Sequence, residues 1–259
     1  MFSEKLTIHP ASAHGDIQAI LPNIWFVQGE VKMPMLFPPM RISRSMTIIR
    51  NPENNELSII NSMRLQDQAM AELDKLGKVA HIIRIGGFHG RDDAFYKQRY
   101  QAKLYAIKGQ VYTKAMTKIP DHSDKGYLQA DEWLDEQSTL PIPNASLKIF
   151  SSSQPPEAIL LLKQDGGIAI TADALQNTAL PDKYHNWFAR IMMKKMGFFK
   201  PYAIGAGWVQ FAKPTPEDIR SVLDLEFEHV LPGHGIPVIN NAKEKYRPAM
   251  EGPIKGCHE

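Results

Sequence analysis

A chain of 259 residues has ample length for a sizeable buried core, and 43% apolar with 22% charged content is ordinary for a globular protein. A net charge of +2 lacks the basic excess of a dedicated nucleic-acid binder. The single cysteine, Cys257, excludes an intramolecular disulfide and a cysteine-based zinc knuckle.

That cysteine usage suits a reducing compartment, and a cytoplasmic location is expected. The opening MFSEKLTIHPASAHGD has no continuous apolar stretch of the secretory kind. No apolar run approaches the roughly 18 residues of a membrane span. Cys257 stands third from the end, which is not a prenylation box.

In chain order, NIWFVQGEV (23–31) is rich in bulky and β-branched residues and predicts a strand. The prolines of KMPMLFPPMRISRS (32–45) predict a loop with apolar side chains, which would suit a cleft wall. SMTIIRNPENNELSIINSM predicts a hairpin, with strands at 46–50 and 56–61 and NPENN as the turn. RLQDQAMAELDKLG predicts a helix: Leu65, Ala69, Leu73 and Leu76 share a face, and Gly77 is its stop. VAHIIRI reads as a buried strand, DDAFYKQRYQA as a helix and KLYAIKG as a further strand, a β-α-β rhythm. The polar, proline-bounded stretch from Met116 to Asn144 predicts a loop carrying one short segment.

The second half repeats the outline. ASLKIFSSS and EAILLLKQ read as paired strands, and GIAITAD as the next. KYHNWFARIMMKKMGFF predicts a helix whose Met, aromatic and Lys residues suit an apolar wall or a homodimer contact. PTPEDIRSVLDLE predicts a helix capped by Thr215, with Pro216 in its first turn and Glu217 and Asp218 at its positive end. FEHVLPGHG reads as a short strand entering a loop. The expected architecture is an α+β sandwich of two mixed sheets with outer helices. It forms a single domain over 1–259, with two similar halves at about 20–112 and 145–240.

Three places set metal-capable side chains just past an apolar strand: His89 with Asp92 and Asp93, then Asp173, then His234. Loops beyond rigid strand ends can converge on one cleft. Histidine nitrogen and aspartate oxygen suit zinc, iron or manganese. The glycines flanking His234 let the backbone turn sharply and leave its imidazole uncrowded. Each residue also has a structural reading. Asp92 and Asp93 suit a helix start, Asp173 a turn, and His234 a structural loop.

The order of hairpin, SIINS, helix, HIIRIGGFHGRDD, GGIAITADAL and FEHVLPGHGIPV resembles the metallo-β-lactamase superfamily. The resemblance covers about residues 23–238 and implies a four-layer αββα sandwich with a metal cleft along one edge. It places Asp173 at the family's bridging aspartate and His234 at a late histidine ligand. The H-x-H-x-D-H signature survives only in fragments. With His89 first, Arg91 and Ala94 replace histidines and Asp93 keeps the aspartate. With His89 second, Gly87 and Asp92 replace histidines and Arg91 replaces the aspartate. KIFSSSQPPEA carries no histidine where another is expected, and Asn61 stands where an acidic residue is expected.

The resemblance therefore implies at most a mononuclear site. In the first register His89, Asp93, Asp173 and His234 remain to hold one zinc, iron or manganese ion. Asp93 or Asp92 would then orient a water for hydrolysis of an ester, thioester, lactone or phosphoester. The alternative is a non-catalytic binding module in which Arg91 pairs with an aspartate and replaces the metal. The expected partner is a small molecule, without nucleic acid or membrane.

Overall fold

The protein is described from a computed structural model, which covers residues 8–33, 38–110 and 128–253. Residues 34–37 of the expected loop, the first part of the middle stretch (up to 127), Cys257 and His258 lie outside these residues.

The first half builds a seven-stranded mixed sheet. Its strands are β1 (Gln18–Leu21), β2 (Ile24–Met33), β3 (Met40–Arg50), β4 (Glu56–Ile60), β5 (Lys78–Arg84), β6 (Lys103–Ile107) and β7 (Glu132–Leu134), in that spatial order. Pairing is antiparallel from β1 to β4 and parallel from β4 to β7. The β3–β4 turn is fixed by asparagine side chains. Asn51 accepts from the Glu53 N–H at 3.0 Å and Asn54 from the Glu56 N–H at 2.9 Å.

The second sheet has four strands in the order β13–β10–β9–β8. They are β8 (Ala145–Phe150), β9 (Glu157–Leu162), β10 (Ile168–Ile170) and β13 (His229–Leu231). β10 and β13 run parallel, and the other pairs antiparallel. A separate ribbon joins β11 (Leu175–Thr178) to β12 (Lys200–Ile204).

Strand alternation sorts the apolar residues into layers, because successive side chains point to opposite faces. Ile49, Ile60 and Ile83 meet Leu160, Leu162, Ile168 and Leu231 between the two sheets. Their neighbours Ile48, Ile59 and Ile82 face outward. They pack with Ala69, Met70 and Leu73 of α1 (Asp67–Leu76) and Tyr96 of α2 (Asp93–Tyr100). On the other outer face Ile159, Leu161, Ala169 and Val230 pack under α4 (Ala206–Ala212), α5 (Pro216–Arg220) and α6 (Ala242–Glu251). The layers are therefore helix, sheet, sheet, helix, as the resemblance implied. Every residue of β9 is buried because both its faces are covered.

Most expected elements form, with shifted ends; β3 starts at Met40, inside the stretch expected as a loop, because it pairs with β2 from Met40 to Ile49. α1 stops at Gly77, whose φ of 156° brings its backbone against the Asn55 carbonyl, where a β-carbon would collide. Thr215 caps α5 by accepting from the Asp218 N–H at 3.3 Å. The helix expected across 183–199 is shorter: α3 spans Trp187–Lys195, and its Asn186 cap accepts from the Ala189 N–H at 3.0 Å. β1, β11, β12, α4 and α6 were not expected. In α6, Ala242, Tyr246 and Met250 form a buried stripe at a spacing of four, but Pro248 inside the helix hides it.

Candidate metal centre

The C-terminal ends of β4, β5, β10 and β13 gather at one edge of the sandwich. Asn61, just past β4, donates through Nδ2 to the Thr171 carbonyl past β10 at 3.1 Å. The Ala158 N–H donates to the Ile85 carbonyl at 2.9 Å, tying β9 to the end of β5. Three side chains from three of these ends converge. One ligating atom each from His89, Asp173 and His234 lie within 4.8 Å of one another.

The close approach depends on glycine. A β-carbon on Gly86 would strike the Ala172 side chain and come within 2.9 Å of the His89 ring. One on Gly233 would strike the backbone of Ala172. These two positions press the loops bearing His89 and His234 against the Asp173 loop.

Hydrogen bonding at His234 fixes which nitrogen faces the cluster. Its Nδ1 lies 2.7 Å from the Ser43 carbonyl oxygen, which can only accept, so Nδ1 carries the proton. In the neutral ring Nε2 is then a bare lone pair, 3.1 Å from Asp173 Oδ1. Two lone pairs facing each other demand a proton or a metal ion between them. Burial pushes the His234 pKa down, but the Asp173 carboxylate more than offsets this, and the pKa stands above its usual value. His89 Nε2 lies 3.2 Å from Asp173 Oδ2, yet Oδ2 is buried and accepts no hydrogen bond. Burial raises the Asp173 pKa, but the neighbouring His89 and His234 imidazoles outweigh it and hold the carboxyl well below the usual range.

These residues fit one metal ion. They provide two imidazole nitrogens and one carboxylate, the donor set of open zinc and mononuclear iron sites. Asp173 keeps an orphaned buried oxygen. His234 spends its other nitrogen on a backbone carbonyl, as metal-bound histidines usually do.

Asp92 and Asp93 are held elsewhere. Asp93 Oδ2 accepts from Arg84 at 3.0 Å and Oδ1 from the Ser62 hydroxyl at 2.6 Å, and both charged partners are fully buried. Asp93 thus stands outside the three-residue cluster, although the first register would make it a ligand. Asp92 Oδ2 is bound by Arg44 and, at 3.1 Å, by the Arg64 N–H. Its side chain does not cap α2 despite its place at the helix start. Among the described residues no ion pair joins Arg91 to Asp173. Burial lowers the Arg91 pKa, with Asp92 and Arg44 as the charges it feels.

Three site residues escaped the sequence reading. Arg44 and Arg84 sit in strands whose apolar context marks them as sheet residues, so their pairing with two distant aspartates carried no local signal. Glu157 opens β9 and is fully buried. Its Oε1 accepts from the Asp173 N–H at 2.8 Å and the Ala174 N–H at 2.5 Å, which fixes the turn that presents Asp173. A glutamate beginning a wholly apolar strand was the available signal.

No protein-family model and no curated protein matches this sequence. Solved structures do match in shape. The metallo-β-lactamase FIM-1 from Pseudomonas aeruginosa, in a mono-zinc form, aligns over 93% of this chain and 96% of its own, with a TM-score of 0.58 and 12% identity. A metallo-β-lactamase from Erythrobacter litoralis aligns over 91% and 95%, with a TM-score of 0.57 and 11% identity. A chemotaxis sensor, ODP, described as a peroxy diiron species, aligns over 92% and 95%, with a TM-score of 0.54 and 12% identity. With its layers, strand order and edge cluster, this chain has the metallo-β-lactamase fold.

Proposed function

We propose that the protein is a metal-dependent hydrolase with a mononuclear site made by His89, Asp173 and His234. The observation that carries this reading is the convergence of three donor atoms within 4.8 Å around an aspartate oxygen that has no hydrogen-bond partner. A zinc, iron or manganese ion held there would lower the pKa of a bound water towards about 7 and polarise a substrate oxygen. The Ser43 carbonyl orients His234 by accepting its Nδ1 proton, and Glu157 orients Asp173 through its backbone N–H. His89 is 9% and His234 17% exposed at the side chain, so the cluster is sheltered but not sealed from solvent. Esters, thioesters, lactones and phosphoesters are the substrate classes.

Asp92 and Asp93 do not take the water-orienting role in this reading. Their oxygens are engaged by Arg44, Arg64, Arg84 and Ser62, with Asp92 Oδ1 the exception. The test is hydrolysis of a panel spanning the four classes by protein reconstituted with zinc, iron or manganese. Activity that appears with one metal and vanishes in Asp173→Asn supports the reading. Metal uptake by the wild type with no hydrolysis of any class counts against it.

A further inference from the structure

Buried polar atoms without a hydrogen-bond partner cluster at the edge of the sandwich. They include Arg44 Nε, Arg91 Nη1, Asp92 Oδ1, Asn61 Oδ1, Glu157 Oε2 and Asp173 Oδ2. Native proteins leave few such groups, so a cluster points to something those groups meet in the working state. The acceptors at Asp173 belong with the metal. The two arginine nitrogens are donors and need an acceptor of their own.

Arg44 is placed beside the metal centre by the backbone. The residue before it gives its carbonyl to His234 Nδ1 at 2.7 Å. The residue after it donates its N–H to the Gly233 carbonyl at 2.8 Å. β3 is thus stitched to the His234 loop on both sides of Arg44. Its side chain is 8% exposed and turns to Asp92, in the loop that carries His89. Arg91 stands next to Asp92 in the chain and two residues from His89. Asp92 pairs with Arg44 and is also the carboxylate whose charge acts on Arg91. Arg84 is compensated separately by Asp93. Arg44 and Arg91 thus share one aspartate beside the ligands, with an unfilled donor on each guanidinium.

We propose that Arg44 and Arg91 form an oxyanion subsite beside the metal centre, and that the substrate carries a carboxylate or phosphate group that docks there. This deepens the hydrolase reading and rests on it for the statement that the bound anion is part of a substrate. Guanidinium groups suit such anions because their planar donors match carboxylate and phosphate oxygens. Arg44, fixed by Asp92, is the rigid wall, and Arg91, more exposed, is the adjustable arm.

The test is calorimetric titration of the full chain, metal-free and zinc-loaded, with inorganic phosphate and with succinate, and with uncharged succinamide as control. The expected result is saturable binding of at least one anion and none of succinamide. Binding should weaken roughly 10- to 100-fold in Arg91→Gln, with partial recovery in Arg91→Lys. Tighter binding of phosphate assigns a phosphorylated substrate, and tighter binding of succinate a carboxylate. Circular dichroism and a urea midpoint establish that each variant is folded, and the wild-type anion-against-amide comparison stands if Arg91→Gln is not. No saturable anion binding by the wild type, or equal affinity in wild type and a folded Arg91→Gln, overturns the subsite. Anion binding without hydrolysis of any ester or phosphoester would leave the subsite standing and defeat only the hydrolase reading.

Discussion

Two groups of acidic residues stand at the same edge of the sandwich and are neutralised in different ways. Asp92 and Asp93 each meet an arginine supplied by the first sheet, Arg44 from β3 and Arg84 from β5. Among the described residues Asp173 forms ion pairs only with imidazoles, and one of its oxygens accepts no hydrogen bond. In the first group the counter-charge is part of the chain, and the aspartates serve the fold. In the second, on the proposed reading, the counter-charge would come from a guest cation. A shared residue type therefore says little about shared role. What distinguishes a ligand from a structural carboxylate is whether its charge is already answered.

The largest expected effect breaks the first group. Asp93→Ala strands the fully buried Arg84 charge and should cost roughly 3–5 kcal/mol of stability, read from urea unfolding. Asp173→Asn in metal-free protein should lose much less by the same measurement. Equal losses would erase the distinction between the two groups. Next, zinc at about 100 times its dissociation constant should stabilise the wild type by about 2.7 kcal/mol and leave Asp173→Asn and His234→Ala unmoved. Zinc stabilisation that survives in both variants would place the ion elsewhere.

A smaller effect sharpens the picture at Arg44. Asp92→Asn keeps an oxygen for the Arg64 N–H but removes the charge facing Arg44, and should cost about 1–3 kcal/mol in urea unfolding. The smallest is Glu157→Gln. The amide oxygen can still accept from Asp173 and Ala174, so the stability change should stay within about 1 kcal/mol. A larger loss would mean that the glutamate charge itself holds the Asp173 turn.

The fold was legible because its strands alternate and its turns carry their own chemistry. Ile48 with Ile49, Ile59 with Ile60 and Ile82 with Ile83 each send one side chain to either face of the sheet. What could not be read was contact across long sequence distance. Arg44 and Asp92 are 48 residues apart, and nothing local marks them as partners. The same limit left Asp93 as a candidate ligand, since its pairing with Arg84 depends on how β5 enters the loop before α2. His89, Asp173 and His234 were legible as strand-end residues, and the structure brings those three together. Arg91 was read as a possible partner of an aspartate, and the charges that act on it are those of Asp92 and Arg44 rather than Asp173.

The most direct measurement is the metal content of the full chain, purified without added metal and again after reconstitution, by elemental analysis. One zinc, iron or manganese ion per chain is expected in the wild type and in a folded Asp93→Asn, with loss of that ion in Asp173→Asn. Absence of any ion after reconstitution, or an unchanged content in Asp173→Asn, would contradict a metal centre at His89, Asp173 and His234.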